Sequence, residues 1–199
     1  MNRLNEFFNF IKNYELRITE EQVLDWLKIT RRWPVTTQFN SYLNHIVKGP
    51  LTETVSVIAN DGRKYTNFYS THDATGLYLD FDKWFYFHER GYTSTINDIL
   101  DLSEDLREIC KVSRDIIGYD VQGNFYFSRK SNKNMSSFIP HSHEYNVIAK
   151  QIYGKSLWTL NGKNFDLDEQ QAVLIPKGFE HAVLSKETDK LSLTINLTH

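Results

Sequence analysis

The sequence lacks the features that mark secreted, membrane-spanning or nucleic-acid-binding proteins. Cys110 is the one cysteine among 199 residues, so an intrachain disulfide is excluded and a reducing compartment is expected. The 23 basic and 25 acidic residues give a formal net charge of -2, which provides no basic surface for nucleic acid. No apolar run is long enough to span a bilayer, and acidic residues interrupt the N-terminal segment, unlike a signal peptide. We therefore expect a cytoplasmic protein that binds neither nucleic acid nor membrane.

The residues that are present are sufficient for one folded domain. Of the 199 residues, 40% are hydrophobic, as is usual for globular proteins. Apolar side chains recur at helical spacing in residues 4–16, 20–29, 39–47 and 95–112. The second of these segments is preceded by Thr19 and Gln22, which have the spacing of a capping box. Helices are therefore predicted mainly for the N-terminal half of the chain.

Short strands separated by turn residues dominate the rest of the chain. Residues 54–59 and 64–69 flank an Asn-Asp-Gly turn, which predicts a β-hairpin. After residue 120 the predicted strands are 121–128, 137–153, 157–160, 172–175, 181–185 and 191–197. This pattern indicates an antiparallel barrel or sandwich. We predict a single domain over residues 1–199, in which a helical and mixed part (1–120) packs on a barrel core (121–199).

Three histidines carry the strongest signal for chemistry. His141 and His143 would project from the same face of a regular strand, whereas the adjacent Glu144 would project from the opposite face. His181 ends the segment Pro-Lys-Gly-Phe-Glu-His, a tight turn that leads into another strand. Three imidazoles suit Fe(II), Zn, Ni, Mn or Cu and leave coordination positions open. The alternative is that all three are ordinary polar residues of loops and turns, but the two motifs together favour a metal site.

The two histidine motifs resemble the two motifs of the cupin superfamily. A longer part of the chain resembles the JmjC-type oxygenases of the cupin-4 group, which includes the ribosomal protein hydroxylases. The matching segments are 91–97, 123–128, 140–143, 151–158 and 174–181, in the order in which that group has them. The resemblance covers about half of the chain. It implies a mainly β fold with N-terminal helices, namely a double-stranded β-helix (jelly-roll) barrel, together with Fe(II) and hydroxylation driven by 2-oxoglutarate and O₂.

The resemblance also points to residues that would bind the cofactor. Asn124, Tyr126 and Ser128 alternate along one strand and would line the pocket near the metal, although ordinary cross-strand hydrogen bonding explains them equally well. Gln151 has the parity of His141 along an unbroken strand and is expected to face inward. No catalytic residue beyond the metal ligands is assigned.

Two positions depart from the pattern of the oxygenase group. Its second metal ligand is Asp, where this chain has His143, and its cosubstrate anchor is Lys or Arg, where this chain has Ser156. Lys155 is one residue away and would supply the missing cation if the turn at Gly154 shifts the register. Three neutral imidazoles leave a divalent ion its full charge, so such a site should attract an anionic ligand directly to the metal.

Three functions follow from these observations. The first is a 2-oxoglutarate-dependent Fe(II) dioxygenase that hydroxylates a protein or small-molecule substrate. The second is a three-histidine cupin dioxygenase that uses no 2-oxoglutarate, and the third is a non-enzymatic metal-binding cupin. The expected partner is a small molecule or a peptide, and the N-terminal helices either cover the barrel or form a contact in a homo-oligomer.

Overall fold

The structure is a computed structural model that describes residues 2–29, 55–58, 64–66, 68–71, 77–130, 136–185 and 188–198. In the described part of the N-terminal half the elements are α1 (Arg3–Asn13), α2 (Glu20–Ile29), β1 (Val55–Ile58), β2 (Lys64–Tyr65), β3 (Tyr69–Thr71), β4 (Leu77–Leu79), α3 (Phe81–His88), β5 (Thr93–Asn97) and α4 (Glu104–Ile116). None of the helices in these ranges is long and apolar enough to cross a membrane.

Eight strands after residue 120 form two facing sheets. They are β6 (Gln122–Ser128), β7 (Ser136–His141), β8 (Asn146–Tyr153), β9 (Ser156–Leu160), β10 (Lys163–Leu167), β11 (Ala172–Ile175), β12 (His181–Ser185) and β13 (Lys190–Leu197). One sheet has the order β11-β8-β13-β6-β5-β1-β2, and the other has the order β10-β9-β12-β7. Apart from the β9–β10 hairpin, successive barrel strands alternate between the two sheets. This arrangement is a double-stranded β-helix, so the predicted fold class is confirmed.

The last strand, β13, explains why the larger sheet has two different faces. Successive residues of a strand point to opposite faces, and β13 alternates hydrophobic and polar residues throughout. Its hydrophobic side chains lie in the core on the outer face, which also contains residues of α1 to α4: Leu191, Leu193, Ile195 and Leu197. Its polar side chains face the inside of the barrel: Lys190, Ser192, Thr194 and Asn196. The outer face is therefore the main hydrophobic core, and the inner face borders a cavity.

A buried lysine ties α1 to the outer face of this sheet. The Lys150 ammonium donates hydrogen bonds to the backbone carbonyls of Ile11 (3.1 Å), Lys12 (3.4 Å) and Gln170 (3.1 Å). Two of these carbonyls belong to the last turn of α1, where backbone acceptors have no partner within the helix. The helix therefore covers Lys150 and is fixed to the barrel by it.

Local signals placed several elements correctly. The capping box at the start of α2 is present: the Gln22 amide donates to the Thr19 hydroxyl (3.2 Å), and the Thr19 amide donates to the Gln22 side chain (2.8 Å). Strands β1 and β2 pair antiparallel as the predicted hairpin requires. The turn at 60–63 and the predicted helix at 39–47 lie outside the described residues.

Three predictions about the elements are wrong. The helix predicted over 95–112 begins only at Glu104, because residues 93–97 form β5 and pair with β1 and β6. The strand predicted over 137–153 is two strands, β7 and β8, which belong to different sheets. Strand β10 was not predicted, since it carries few apolar residues. Pairing with neighbouring strands decided each case, and a local pattern does not contain that information.

Candidate metal centre

Two strand ends and one connecting segment bring the three predicted metal ligands together. His141 ends β7 and lies directly opposite His181, which begins β12. His143 follows just beyond the end of β7, and its carbonyl accepts a hydrogen bond from the Gly178 amide (2.9 Å). This bond ties the segment after β7 to the turn before β12. The residue two positions after His141 is thus held by the neighbouring turn, and not by a continuous strand as predicted.

The three imidazole rings converge on one point. The ring centroids of His141 and His181 are 4.4 Å apart. The ring centroid of His143 lies 5.0 Å from that of His141 and 5.1 Å from that of His181. Each ring offers one nitrogen, and these three nitrogens all lie within 4.8 Å of one another. The cluster can therefore hold a single metal ion.

Backbone carbonyls orient two of the rings. The Nδ1 atom of His141 lies 2.9 Å from the Ile139 carbonyl, and that of His181 lies 3.1 Å from the Phe179 carbonyl. A carbonyl oxygen only accepts hydrogen bonds, so Nδ1 carries the hydrogen in both rings. With the hydrogen on Nδ1, the Nε2 atom is the nitrogen that can bind a metal ion in both rings, which is the arrangement that metal-binding histidines use.

Burial lowers the pKa values of His143 and His181, which favours their neutral forms. Burial, with smaller contributions from the neighbouring His141 and His181 rings, lowers the pKa of His143 to about 4. Burial also lowers the pKa of His181, partly offset by its hydrogen bond to the Phe179 carbonyl, while His141 adds to the lowering. Neutral imidazoles are the protonation state that a metal ion requires.

A cavity of about 130 Å³ adjoins the three histidines inside the barrel. The Tyr145 ring stacks on His143 with centroids 5.0 Å apart, and the Trp158 ring is parallel to His181 at 6.1 Å. The remaining lining residues are Asn124, Tyr126, Val147, Ile175, Val183, Lys190, Ser192, Thr194 and Asn196. Among the described residues, the cavity wall contains no Asp or Glu.

Only some of the residues proposed from the sequence for cofactor binding lie at the cavity. Asn124 and Tyr126 line the cavity together with the histidines. Ser128 is on the same face of β6, and its hydroxyl is buried without a hydrogen-bond partner among the described residues. Lys155 lies outside the cavity, because its ammonium binds the carboxylates of Asp166 (3.1 Å) and Asp168 (2.9 Å). The structure therefore does not bring Lys155 into the site.

Gln151 and Ser156 form a hydrogen-bonded cluster within the barrel wall. The Ser156 hydroxyl donates to Gln151 Oε1 (2.7 Å) and accepts from Trp158 Nε1 (2.9 Å). The Gln151 amide nitrogen donates to the carbonyls of Tyr153 (2.7 Å) and Leu191 (3.3 Å). Both side chains are buried and occupied by these bonds. The position where the oxygenase group has its cationic anchor thus holds a structural hydroxyl in this chain.

Sequence reasoning missed Lys190. Its side chain lines the cavity and is 1% exposed, and burial lowers its pKa to about 7. A signal was available: alternation along β13 puts Lys190 on the same face as Ser192, Thr194 and Asn196. From the sequence alone, a lysine at the end of a polar face is predicted to be solvent-exposed, because the pattern does not show that a second sheet covers this face.

No protein-family model matches the sequence, and no curated protein matches it. Solved structures do match. A cupin superfamily protein from Desulfitobacterium hafniense is 16% identical, with 40% of this chain and 68% of that chain covered and a TM-score of 0.35. KdgF from Halomonas sp. is 20% identical, with 40% and 71% covered and a TM-score of 0.35. A cupin 2 conserved barrel domain protein from Leptotrichia buccalis is 18% identical, with 38% and 35% covered and a TM-score of 0.35.

Proposed function

We propose that this chain is a metal-dependent oxygenase in which His141, His143 and His181 hold Fe(II) beside a small-molecule pocket. The observation that carries the proposal is the convergence of three ring nitrogens within 4.8 Å at an internal cavity. In two of the rings, the hydrogen bond of Nδ1 to a backbone carbonyl makes Nε2 the nitrogen that can bind a metal. The motif order from residue 123 to residue 181, which resembles the JmjC-type oxygenases, supports oxygen chemistry at this centre.

The site suits a small substrate. Three protein ligands leave coordination positions open for exogenous molecules. A bound Fe(II) supplies the redox chemistry that activates O₂. The protein itself shields the ligands, since Tyr145 and Trp158 pack along the rings of His143 and His181. The cavity volume of about 130 Å³ is below the roughly 300–1,000 Å³ of drug-sized pockets, which favours a small metabolite over a peptide.

The use of 2-oxoglutarate is the narrower part of the proposal. The resemblance of the motifs supports it, and hydroxylation coupled to succinate release is the activity it implies. A specific observation favours the three-histidine dioxygenase without cosubstrate: Ser156, at the position of the missing anchor, is fully occupied by Gln151 and Trp158. In that version the substrate itself binds the metal.

Metal analysis followed by oxygen uptake tests the proposal. The protein is loaded anaerobically with Fe(II), and in parallel with Zn, Ni or Mn, and the bound metal is counted for the wild type, His141→Ala and His88→Phe. We expect one ion per chain in the wild type and in His88→Phe, which lies outside the cluster, and loss of the ion in His141→Ala. Undiminished metal binding by His141→Ala would overturn the assignment of the centre.

Oxygen consumption separates the mechanisms once the metal is bound. Uptake with release of succinate from 2-oxoglutarate supports the cosubstrate version, and uptake with a chelating small molecule alone supports the three-histidine version. A tightly bound redox-inert ion, together with no oxygen uptake from the iron-loaded protein under either condition, overturns the oxygenase and leaves the non-enzymatic metal-binding barrel.

A further inference from the structure

The turn between β11 and β12, residues 176–180, contacts two of the three candidate ligands. The Gly178 amide donates a hydrogen bond to the His143 carbonyl (2.9 Å). The Phe179 carbonyl lies 3.1 Å from Nδ1 of His181 and orients that ring. The position of this turn therefore sets the backbone of one ligand and the ring orientation of another.

Pairing of the two flanking strands does not fix the position of the turn. It connects β11 of the larger sheet with β12 of the smaller sheet, so the two strands are not partners as they are in a hairpin. Within the turn, the Phe179 amide donates to the Pro176 carbonyl (3.1 Å), and Gly178 has a φ of +78°. This bond gives the turn its shape but does not determine where it lies relative to the two sheets. Contacts from outside the turn have to do so.

Two asparagine side chains hold the turn near its two ends. The Lys177 amide donates to Oδ1 of Asn146 (2.9 Å), and the Glu180 amide donates to Oδ1 of Asn161 (3.2 Å). The Asn161 amide donates in turn to the Glu180 carbonyl (2.8 Å). On both sides, a side-chain oxygen thus accepts a hydrogen bond from a backbone amide of the turn.

Each asparagine lies one residue beyond a strand pair that borders the turn. In the larger sheet, Asn146 precedes Val147, which lies opposite the last residue of β11. In the smaller sheet, Asn161 follows Leu160, which lies opposite His181, the first residue of β12. The larger sheet therefore holds the start of the turn, and the smaller sheet holds its end.

These hydrogen bonds fix geometry more than they stabilise the fold. Asn161 is exposed and Asn146 is partly buried, so water can replace either side-chain acceptor at a small cost in stability. Asn161 has a φ of +46°, a left-handed conformation that Gly and Asp also adopt. Removal of either side chain should therefore leave the fold intact and release one end of the turn.

We propose that Asn146 and Asn161 are positioning residues of the metal centre, which hold the turn at 176–180 so that His143 and His181 meet the ion in a fixed geometry. This inference deepens the proposed function and rests on its metal centre. It names two residues outside the ligand set on which the affinity for the ion and the geometry of its coordination depend.

Binding of Co(II) tests the role of the two asparagines without any turnover. Asn146→Ala and Asn161→Gly each remove one acceptor, and glycine retains the left-handed conformation at position 161. We expect each variant to bind Co(II) about 10-fold more weakly than the wild type, as the loss of a group that supports a metal ligand usually causes. Competition with a chelator measures the affinity. At saturation with Co(II), the visible absorption band of both variants should differ from that of the wild type, because the ligands are held less rigidly.

Two further variants separate positioning from a general effect on the fold. Asn164→Ala is the matched control: this asparagine of β10 accepts from the Thr159 hydroxyl (2.7 Å), and its removal should leave Co(II) affinity and spectrum unchanged. Asn161→Asp keeps an acceptor oxygen for the Glu180 amide and should restore most of the affinity and the wild-type spectrum. Urea denaturation of the metal-free proteins should give similar midpoints for Asn161→Gly and Asn164→Ala.

The outcomes separate this inference from the proposed function. Failure of the wild type to bind Co(II) overturns both. Wild-type affinity with an unchanged spectrum in Asn146→Ala or in Asn161→Gly overturns the role of that residue and leaves the metal centre intact. Equal losses in Asn164→Ala, no recovery in Asn161→Asp, or an asparagine variant that circular dichroism shows to be unfolded would assign the effect to the fold as a whole and overturn the positioning role.

Discussion

Two lysines on adjacent strands of one sheet, Lys150 and Lys190, are equally buried but lie on opposite faces of the sheet. Each is 1% exposed, and burial lowers the pKa of both. Lys150 points to the outer face, where three backbone carbonyls around the end of α1 receive its hydrogen bonds. Lys190 points to the inner face, into the cavity shared with the histidines. The outer-face lysine thus fixes a helix to the barrel, and the inner-face lysine lies beside the candidate metal centre.

The buried histidines repeat this contrast. His88, on the outer face, is 0% exposed and stacks against Trp84 (5.1 Å) and Phe127 (4.1 Å). Neither of its ring nitrogens has a hydrogen-bond partner among the described residues. His141 and His181, at the cavity, are each oriented by a backbone carbonyl. Burial alone therefore does not distinguish a candidate ligand, whereas the orientation of the ring by a backbone carbonyl does separate His141 and His181 from His88.

The largest expected effect is the pH dependence that Lys190 imposes on stability. The pKa of Lys190 is about 7 in the folded protein, where the side chain is buried, and 10.5 without burial. At pH values between these two, the unfolded chain therefore holds one proton more than the folded chain. The free energy of unfolding should rise across this window by up to about 5 kcal/mol, and the full penalty should be present below pH 7. Urea denaturation of metal-free wild type and Lys190→Met from pH 6 to 9.5 measures it. A difference between them that stays constant with pH would contradict the expected burial of the charge.

A somewhat smaller effect on stability, at acidic rather than alkaline pH, is expected for His88. Burial lowers its pKa to about 4 against an ordinary 6.5, although Glu20, whose carboxylate is 3.6 Å away, acts to raise it. The unfolded chain therefore takes up a proton first as the pH falls, and stability that is complete above pH 6.5 is lost toward pH 4. The expected loss is about 3 kcal/mol. His88→Phe keeps an aromatic ring and should remove this dependence; an unchanged pH profile in that variant would assign the loss to other groups.

The smallest of the three effects tests the structural role of Lys150. Lys150→Met removes the donor for the carbonyls of Ile11, Lys12 and Gln170, and unpaired buried carbonyls lower stability, here by about 2 kcal/mol. Metal affinity should remain unchanged. Lys190→Met, in contrast, should cause no loss of stability at pH 7, because it removes a buried ammonium. A similar loss of stability in both variants would show that the two lysines do not differ in the way expected.

Local patterns in the sequence predicted the parts that depend on near neighbours. The strands β11 and β12 and the capped start of α2 follow from short-range periodicity and turn chemistry. The motifs around His141 and His181 also named the three candidate ligands and the barrel. The same reasoning extended a helix over β5 and joined β7 to β8, because pairing partners distant in the chain decide those segments.

The sequence by itself predicted five of the eight barrel strands (β6, β9, β11, β12 and β13), their alternation of polar and apolar residues, and the three candidate histidine ligands. Only the tertiary structure decided that His141 lies opposite His181 on a neighbouring strand, that the Ser156 hydroxyl is hydrogen-bonded to Gln151, and that Lys190 faces a cavity. The physical reason is that alternation along a strand separates two faces but does not tell which one is enclosed. Closure of the second sheet over the first converts a polar face into an interior one, and that closure depends on contacts tens of residues apart.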